Sequence, residues 1–522
     1  MTEEQGAPLD IKFQQRFSKN LISNAVYFVL QFIIGLALVP FFIDTLGQAA
    51  YGLIPLATSV TSYVTIILDS MNASISRFLS IDLQRGELKK AGETYNTALF
   101  GILIVLLILL PVIVIVAWVS PSFFNIGTES LINVFWLFLL ILGSVLIRAM
   151  GAIFTAVFIA YNRLDFINFV NITNILVQLV LVISLFIFIG PTLIFVGISY
   201  FAAAIISLIL GYILFKKTNA FLHVSASQFR KSRFREIGDQ AFWSVFQQIG
   251  NLLRYPICMI IVNIMFGEIA GTQFSLGVTI CLGILALSSL ITSTFRPQIY
   301  LYRAKEDTKS LINFGAFTIK VIGLFMALPI ALLCVFSTQI LEFWVGKDFI
   351  RISPLIWIMV IPMIFWMMAA CIGPINAAYL KVRPVALTNC ILGILNVILA
   401  FSFPLLFHNG IYGVGWACAI TIFLIMGIFQ PIYNAYILKA PLLGFMKPMM
   451  YGILALAILL VIIGVYALII PIQSILGVIL SSIIISIGYL IILRLILKTE
   501  ERTMIRSCIP RYINKVIPNW IL

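Results

Sequence analysis

Four charged residues lie inside long apolar segments of the chain: Asp69, Arg148, Arg254 and Lys320. A charged side chain at the centre of a bilayer costs roughly 2.5 to 3.5 kcal/mol on insertion scales, so such residues usually face a water-filled cavity or a charged partner. Three of the four are cations, and a guanidinium group forms bidentate hydrogen bonds with phosphate and carboxylate oxygens. The pattern predicts a cationic cavity that binds an anionic group.

Each cation also has an alternative location. Arg148 lies roughly 25 Å of helical rise from the outer end of its segment, so it either faces a cavity or snorkels toward the inner surface. Lys320 is nearer a segment end, and its long stem can reach the headgroups. Arg254 follows Gln247 and Asn251 at positions i, i+4 and i+7, which predicts one polar face of a helix. That face lines either a cavity, which we favour, or a polar contact between helices.

Further polar residues extend this hypothesis. Asn24 and Gln31 are also seven positions apart, which predicts an equivalent stripe on the first apolar segment, facing the stripe that contains Arg254. We expect these amides to bind hydroxyl groups of a substrate. Asp69 is the candidate ion or ion-pair residue, with Arg148 or Arg77 as its expected partner.

Motifs for other chemistries were not found in the sequence. It contains no phosphate-binding loop, no Ser/His/Asp spacing and no paired carboxylates on a large loop. Its two histidines, His223 and His408, form no metal-binding pattern. We therefore expect a protein that is not an enzyme and that has neither a cofactor nor a metal site.

The composition requires a bilayer as solvent. The chain has 522 residues, of which 62% are hydrophobic and 10% are charged, too apolar for a water-soluble globule. Cutting it at its polar interruptions predicts an all-α integral membrane protein with fourteen transmembrane helices. The predicted spans are residues 21–43, 51–75, 96–118, 131–157, 167–189, 193–214, 241–266, 272–295, 312–336, 353–376, 385–407, 411–436, 448–470 and 473–493.

The basic residues predict the topology. Of the 33 Lys and Arg, 28 lie in the tails or in every second loop, and only Lys347 and Arg351 lie in the alternate loops. Because cytoplasmic loops retain Lys and Arg, both termini are expected on the cytoplasmic side of the cell membrane. The net charge of +14 then reflects loops that face anionic membrane lipids, and nucleic acid is not an expected partner.

An internal repeat predicts how the helices are grouped. Segment 160–163 (AYNR) recurs as segment 378–381 (AYLK), 218 positions later, and the same offset relates spans 4 to 6 to spans 10 to 12. Since six crossings return the chain to its starting side, the two copies have the same orientation. This predicts two six-helix lobes related by a pseudo-two-fold axis along the membrane normal.

The predicted domains follow from this repeat. Residues 1–214 form the N-terminal lobe, 215–240 a basic cytoplasmic linker, 241–436 the C-terminal lobe, and 437–496 two additional helices. Residues 497–522 form a basic amphipathic tail, which either lies on the inner leaflet, as we favour, or binds a partner.

Several short motifs resemble one transporter family. They are Lys19-Asn20-Leu21, Leu46-Gly47 with Tyr51-Gly52, Asp69 followed by Ser76-Arg77-Phe78, and Trp344-Val345-Gly346-Lys347-Asp348-Phe349. In order and spacing, the chain resembles polysaccharide flippases of the multidrug/oligosaccharidyl-lipid/polysaccharide superfamily, the group that includes O-antigen flippases. Fourteen helices favour this branch over the drug antiporters, which usually have twelve.

The resemblance implies a function. Such proteins move a polyprenyl-pyrophosphate oligosaccharide to the outer leaflet by alternating access, and their cavities are cationic. Glycan polymerases or glycosyltransferases are then further candidate partners. Two alternatives stay open: a cation-coupled small-molecule exporter, for which Asp69 is essential, and a non-transporting scaffold for glycan synthesis, for which the deep arginines matter little beyond stability.

Overall fold

The computed structural model describes residues 9–84, 87–127, 129–161, 163–218, 223–470, 474–497 and 502. Within these ranges the chain forms helices and no strand, which confirms the all-α prediction. The helices are α1 (Leu9–Leu46), α2 (Gln48–Gln84), α3 (Leu88–Phe123), α4 (Leu131–Ala160), α5 (Leu164–Phe188), α6 (Leu193–Thr218), α7 (Lys231–Leu252), α8 (Tyr255–Ala304), α9 (Thr308–Val335), α10 (Ser337–Val345), α11 (Ser353–Val360), α12 (Met363–Ala370), α13 (Pro374–Ala378), α14 (Arg383–Phe407), α15 (Ile411–Ile422), α16 (Gln430–Ile437), α17 (Met446–Ile469) and α18 (Ile475–Ile496).

The long helix α8 accounts for two crossings. Thirteen segments of the described chain are long and apolar enough to cross a membrane, and one of them, Gln248–Ser289, has 42 residues. As a continuous helix it would be about 63 Å long, roughly twice the thickness of the hydrocarbon core. At Gly267 the backbone has φ 84° and ψ −177°, a conformation that glycine adopts readily. The segment therefore contains two of the fourteen predicted helices.

Helix packing divides the chain into two units, one ending at Thr272 and the other beginning at Gln273. In the first unit, α4 packs against α2, α3 and α6, and α5 packs against α1 and α6. Helices α4 and α6 approach closely through glycine: a Cβ atom at Gly197 would lie 3.0 Å from the Cβ atom of Leu140. Small residues allow this kind of close helix packing inside a membrane.

The first unit extends beyond the lobe predicted from the repeat, because α7 and the start of α8 pack with it. Helix α7 lies against α2 and α3, and Asn263 on α8 exchanges hydrogen bonds of 3.0 to 3.1 Å with Asn125. Helix α7 also begins at Lys231, inside the segment predicted as linker. The two six-helix lobes related by a pseudo-two-fold axis therefore stay a prediction.

A buried ion pair fixes α7 to this unit. Arg233 Nη2 lies 2.6 Å from Asp82 Oδ2, and Asp82 is 4% exposed. The Thr94 hydroxyl donates to the same carboxylate at 2.6 Å and accepts from Arg233 Nε at 3.0 Å. Burial alone lowers the pKa of the Arg233 guanidinium, but its bonds to Asp82 and Glu236 outweigh burial and raise that pKa.

In the second unit, α9 packs against α17, and α15 packs against α14 and α11. The predicted span 353–376 is divided into α11, α12 and α13, with Pro362 and Pro374 at the starts of the last two. Residues Phe423–Phe429 form a π-helix. Tyr489 on α18 donates a 2.8 Å hydrogen bond to the carbonyl of Leu324 on α9, so the two additional helices are attached to α9.

The tail predicted at 497–522 lies outside the described residues, apart from Leu497 and Arg502. The loop 337–352 consists of the short helix α10 and a 3₁₀ helix, Lys347–Ile352.

Candidate functional site

A polar cavity lies between α2, α4, α5 and α6 of the first unit, with a volume of about 270 Å³. Its polar lining consists of Thr65, Asp69, Asn72, Arg148, Thr155, Asn171, Asn174 and Ser207. The structure therefore brings together two charged residues that the sequence singled out, one cation and one carboxylate. Arg77, the other expected partner of Asp69, is absent from this lining.

Arg148 projects from the middle of α4 into this cavity. Asp69 of α2 lines the same cavity, which places the cation and the carboxylate in one polar space. Arg148 and Asp69 are both exposed, yet within the described residues no salt bridge joins them. An arginine with accessible donors in a polar cavity can form a bidentate contact with an incoming phosphate or carboxylate.

Small residues provide the space around this arginine. Gly151 and Ala152 follow Arg148 on α4, and Ala204 and Gly211 face the cavity from α6. Because these residues are small, they leave space for the cavity between α4 and α6.

The sequence interpretation did not assign Asn72, Asn171, Asn174 or Ser207 to the site. Two spacings in the sequence could have indicated these residues. Asn72 follows Asp69 by three positions, and Asn171 precedes Asn174 by three, so each pair shares a helix face. Amide groups at these positions supply both donors and acceptors for hydroxyl groups.

The predicted stripe on α1 has a different environment. Asn24 Oδ1 accepts a short hydrogen bond from Asn168 Nδ2 on α5, and Asn168 also donates to Ser23 Oγ at 2.9 Å. Asn24 therefore contributes to the contact between α1 and α5, and it is absent from the lining of the polar cavity. Gln31 is exposed. Substrate binding by these two residues stays a prediction.

The helix predicted to carry Gln247, Asn251 and Arg254 on one face is interrupted just before Arg254. Helix α7 ends at Leu252 and α8 begins at Tyr255, with Pro256 in the first turn of α8. Leu253 and Arg254 form a turn before Pro256, although the Leu253 amide still donates to the Ile249 carbonyl at 3.1 Å. Arg254 is 3% exposed, whereas Asn251 is exposed, and their shared face stays a prediction. The side chain of Gln247 lies outside the described part of the structure.

Lys320 contacts one of the additional helices. Its Nζ atom lies 5.0 Å from the ring centroid of Tyr451 on α17, a cation–π distance. Lys320 is half-buried, so its stem packs at the interface between α9 and α17. Among the described residues, no group of three or more His, Cys, Asp or Glu side chains is placed to hold a metal ion.

These features define a class: a multi-pass helical membrane protein with a charged polar cavity inside one helical unit. The fold is similar to that of the lipid II flippase MurJ in an inward closed conformation, with a TM-score of 0.67 and 16% identity, over 90% of this chain and 98% of that one. It is also similar to an inward-facing multidrug resistance MATE family transporter of the MOP superfamily, with a TM-score of 0.61 and 14% identity, over 84% and 98% of the two chains.

The family follows from sequence. The polysaccharide biosynthesis protein family matches residues 17–300, more than half of the chain, and the protein belongs to this family. A relative in Bacillus subtilis (strain 168), the uncharacterized membrane protein EpsK, is 28% identical over 426 residues, which are 80% of this chain and 83% of EpsK.

Proposed function

We propose that the protein is a flippase that moves a polyprenyl-pyrophosphate oligosaccharide from the cytoplasmic to the outer leaflet, for cell-surface polysaccharide biosynthesis. Membership of the polysaccharide biosynthesis family and the fold shared with the lipid II flippase support this proposal. The observation that carries it is Arg148 in the polar cavity beside Asp69. The protein would lie in the cell membrane with both termini cytoplasmic, as the basic loops predict.

In this mechanism Arg148 binds the anionic part of the substrate. Its guanidinium group offers paired N–H donors to phosphate or acidic-sugar oxygens. The amides of Asn72, Asn171 and Asn174 hydrogen-bond sugar hydroxyls along the same cavity. No covalent bond forms or breaks, and the lipid chain stays in the bilayer while the two predicted lobes alternate access to the two sides.

Asp69 regulates this binding. Within the described residues, its carboxylate lines the same cavity as the Arg148 guanidinium without a salt bridge to it, and its charge attracts Arg148 in competition with an arriving phosphate. An anion with more charge than Asp69, such as pyrophosphate, attracts Arg148 more strongly, whereas a neutral sugar does not. Asp69 thereby confers selectivity for charged substrates. The other proposed substrate contacts, along the rest of the path, are Arg254, Lys320, Asn24, Gln31, Gln247 and Asn251. Glycan polymerases or glycosyltransferases remain proposed partners of the protein.

The second candidate function is a cation-coupled small-molecule exporter. The observation in its favour is the carboxylate of Asp69 in the same polar cavity, since carboxylates bind coupling cations or protons. In that case Asp69 is essential and transport follows an ion gradient. In a scaffold, neither Asp69 nor Arg148 affects transport, because none occurs.

The experiment measures flipping of a fluorescent lipid-pyrophosphate oligosaccharide in proteoliposomes. We expect Arg148→Ala to reduce the rate about ten- to a hundred-fold at matched protein content, because a hydrogen bond to a charged group contributes about 1.5 to 3 kcal/mol. Arg148→Lys retains the charge without the bidentate geometry and should be intermediate. Lys89→Ala, at an exposed cation outside the cavity, is the matched control and should flip normally.

Three results would contradict this proposal. Unchanged flipping by Arg148→Ala removes the cationic cavity from the mechanism. If the wild-type protein flips none of several carrier lipids but moves small cations down a gradient, the exporter replaces the flippase. If it moves neither while polysaccharide synthesis in cells depends on the protein, the scaffold replaces it.

A further inference from the structure

A second cavity of the first unit is apolar. It has a volume of about 320 Å³ and lies between α3, α4 and α6. Ile102 and Ile153 form part of its buried wall, whereas Ile209 and Tyr212 on α6 are 52% and 44% exposed. We call this cavity the α3–α4–α6 groove. It is bounded by protein on one side and open at the surface of the unit on the other.

One end of the groove is aromatic and cationic. Leu208 and Tyr212 line the groove, and Lys216 follows at the same spacing of four, so the three share one face of α6. Lys216 Nζ lies 4.9 Å from the ring centroid of Tyr212. The ring of Phe154 lies 5.9 Å from that of Tyr212, between centroids. Lys216 is therefore held against a residue that itself lines the groove.

The distance from the far end of the groove to Lys216 fits within one leaflet. From Leu208 to Lys216 a helix rises about 12 Å, and half of the hydrocarbon core measures about 15 Å. A lipid with its phosphate at Lys216 would extend an acyl chain along the groove as far as Leu208 without leaving its leaflet. Apolar walls, a cation at one end and a length within one leaflet are the features of a phospholipid site.

We propose that the α3–α4–α6 groove binds one acyl chain of an anionic phospholipid whose phosphate contacts Lys216. Lipid tails are as apolar as the groove itself, so burial gives little preference among lipids. The preference comes from charge, and a cation near the membrane surface favours an anionic lipid by about five-fold. Lys216, and not Arg148, is the cation at this groove, which leaves the polar cavity for the transported substrate.

The groove shares a wall with the polar cavity, so its occupant affects the proposed transport site. Phe154 and Leu208 line both. An acyl chain packed on one side of these two side chains restricts their rotamers, and they face Arg148's cavity on the other side. Lipid composition would thereby tune the shape of that cavity without any contact between phospholipid and substrate.

The test measures lipid binding by native mass spectrometry of the full-length protein in detergent, with phosphatidylglycerol or phosphatidylcholine added. We expect one phosphatidylglycerol to bind about five-fold more tightly than phosphatidylcholine. Lys216→Gln should abolish that difference, while Lys217→Gln, in the same helical turn, should keep it. Ile209→Trp, which fills the groove, should remove the bound lipid, and Ile206→Trp, elsewhere on the exposed face of α6, should not.

Folding is checked by the melting temperature of each variant in detergent, so that loss of lipid by an unfolded protein is not counted. Equal binding of both lipids to the wild-type protein would overturn the proposal, as would unchanged binding to Ile209→Trp. If polyprenyl phosphate displaces phosphatidylglycerol at equal concentration and Lys216→Gln weakens both, the groove holds the tail of the substrate, and the phospholipid proposal is wrong. None of these outcomes depends on flipping, so they separate this proposal from the proposed function.

Discussion

Helix α2 contains two aspartates with an arginine near each, and their environments differ. Asp82, at one end of the helix, is 4% exposed and bonds to both Arg233 and Thr94. Asp69, thirteen positions earlier, lines a cavity with Arg148 and is exposed. The same residue types on one helix therefore form a closed pair in one place and an open pair in the other.

The difference distinguishes structural charge from functional charge. In the closed pair, both carboxylate oxygens of Asp82 accept hydrogen bonds from protein donors, which compensates for lost hydration. In the open pair, the charges retain access to water, so a ligand can replace that water without first breaking a short salt bridge. A charge inside the helical unit indicates function when it is accessible, and Asp82 shows that the residue type alone is not sufficient.

The largest predicted effect comes from opening the closed pair. Asp82→Ala removes the buried carboxylate of the pair and leaves the half-buried Arg233 with only the exposed Glu236. It should lower the free energy of unfolding by about 3 kcal/mol, the lower end for a broken buried pair. The measurement is unfolding in detergent by titration with SDS. Glu236→Gln removes the other carboxylate bonded to Arg233, but Glu236 is 53% exposed, so its loss should cost less than about 1 kcal/mol. Equal losses of unfolding free energy in Asp82→Ala and Glu236→Gln would contradict the structural role of the closed pair.

The next effect comes from removing the carboxylate of the open pair. Asp69→Asn should leave the free energy of unfolding nearly unchanged, because Asp69 is exposed in the cavity. It should strengthen binding of an anionic oligosaccharide headgroup about three- to ten-fold, since Arg148 no longer has a competing anion. Isothermal titration with a soluble pyrophosphate-sugar analogue measures this affinity, and Arg148→Ala should abolish the gain. Weaker binding by Asp69→Asn would instead support the exporter.

Sequence reasoning recovered the fold because composition and loop charge are global properties that few local irregularities can change. It also identified Arg148 and Asp69, since a charge in an apolar helix is conspicuous. It missed Asn171 and Asn174, whose amides carry no charge. Whether such amides line a cavity depends on how the neighbouring helices pack against their own helix. It did not foresee the two-residue turn before Pro256 that separates Asn251 from Arg254, because regular spacing assumes an unbroken helix.

The apolar groove was missed for a related reason. Its residues, such as Ile153 and Ile209, are ordinary for a membrane helix, and only the packing of three helices leaves space between them. A sequence pattern describes one helix at a time. A cavity is a property of several helices together, so it becomes visible only in the structure.

A neutral group lies near each pair, and replacing it tests the same difference without changing a charge. Thr94 is fully buried and bridges Asp82 and Arg233 through its hydroxyl. Thr94→Val keeps the shape but removes one bond from each charge, so the free energy of unfolding should fall by about 1 to 3 kcal/mol.

Thr65→Val, in the wall of the cavity with Asp69, is the matched change. Within the described residues its hydroxyl donates to the carbonyl of Thr61, one turn earlier on the same helix, so this variant should change stability by less than about 0.5 kcal/mol. SDS titration of both variants compares the two environments with the charges left in place. A similar cost for both would mean that the closed pair is no more dependent on its neighbours than the open one.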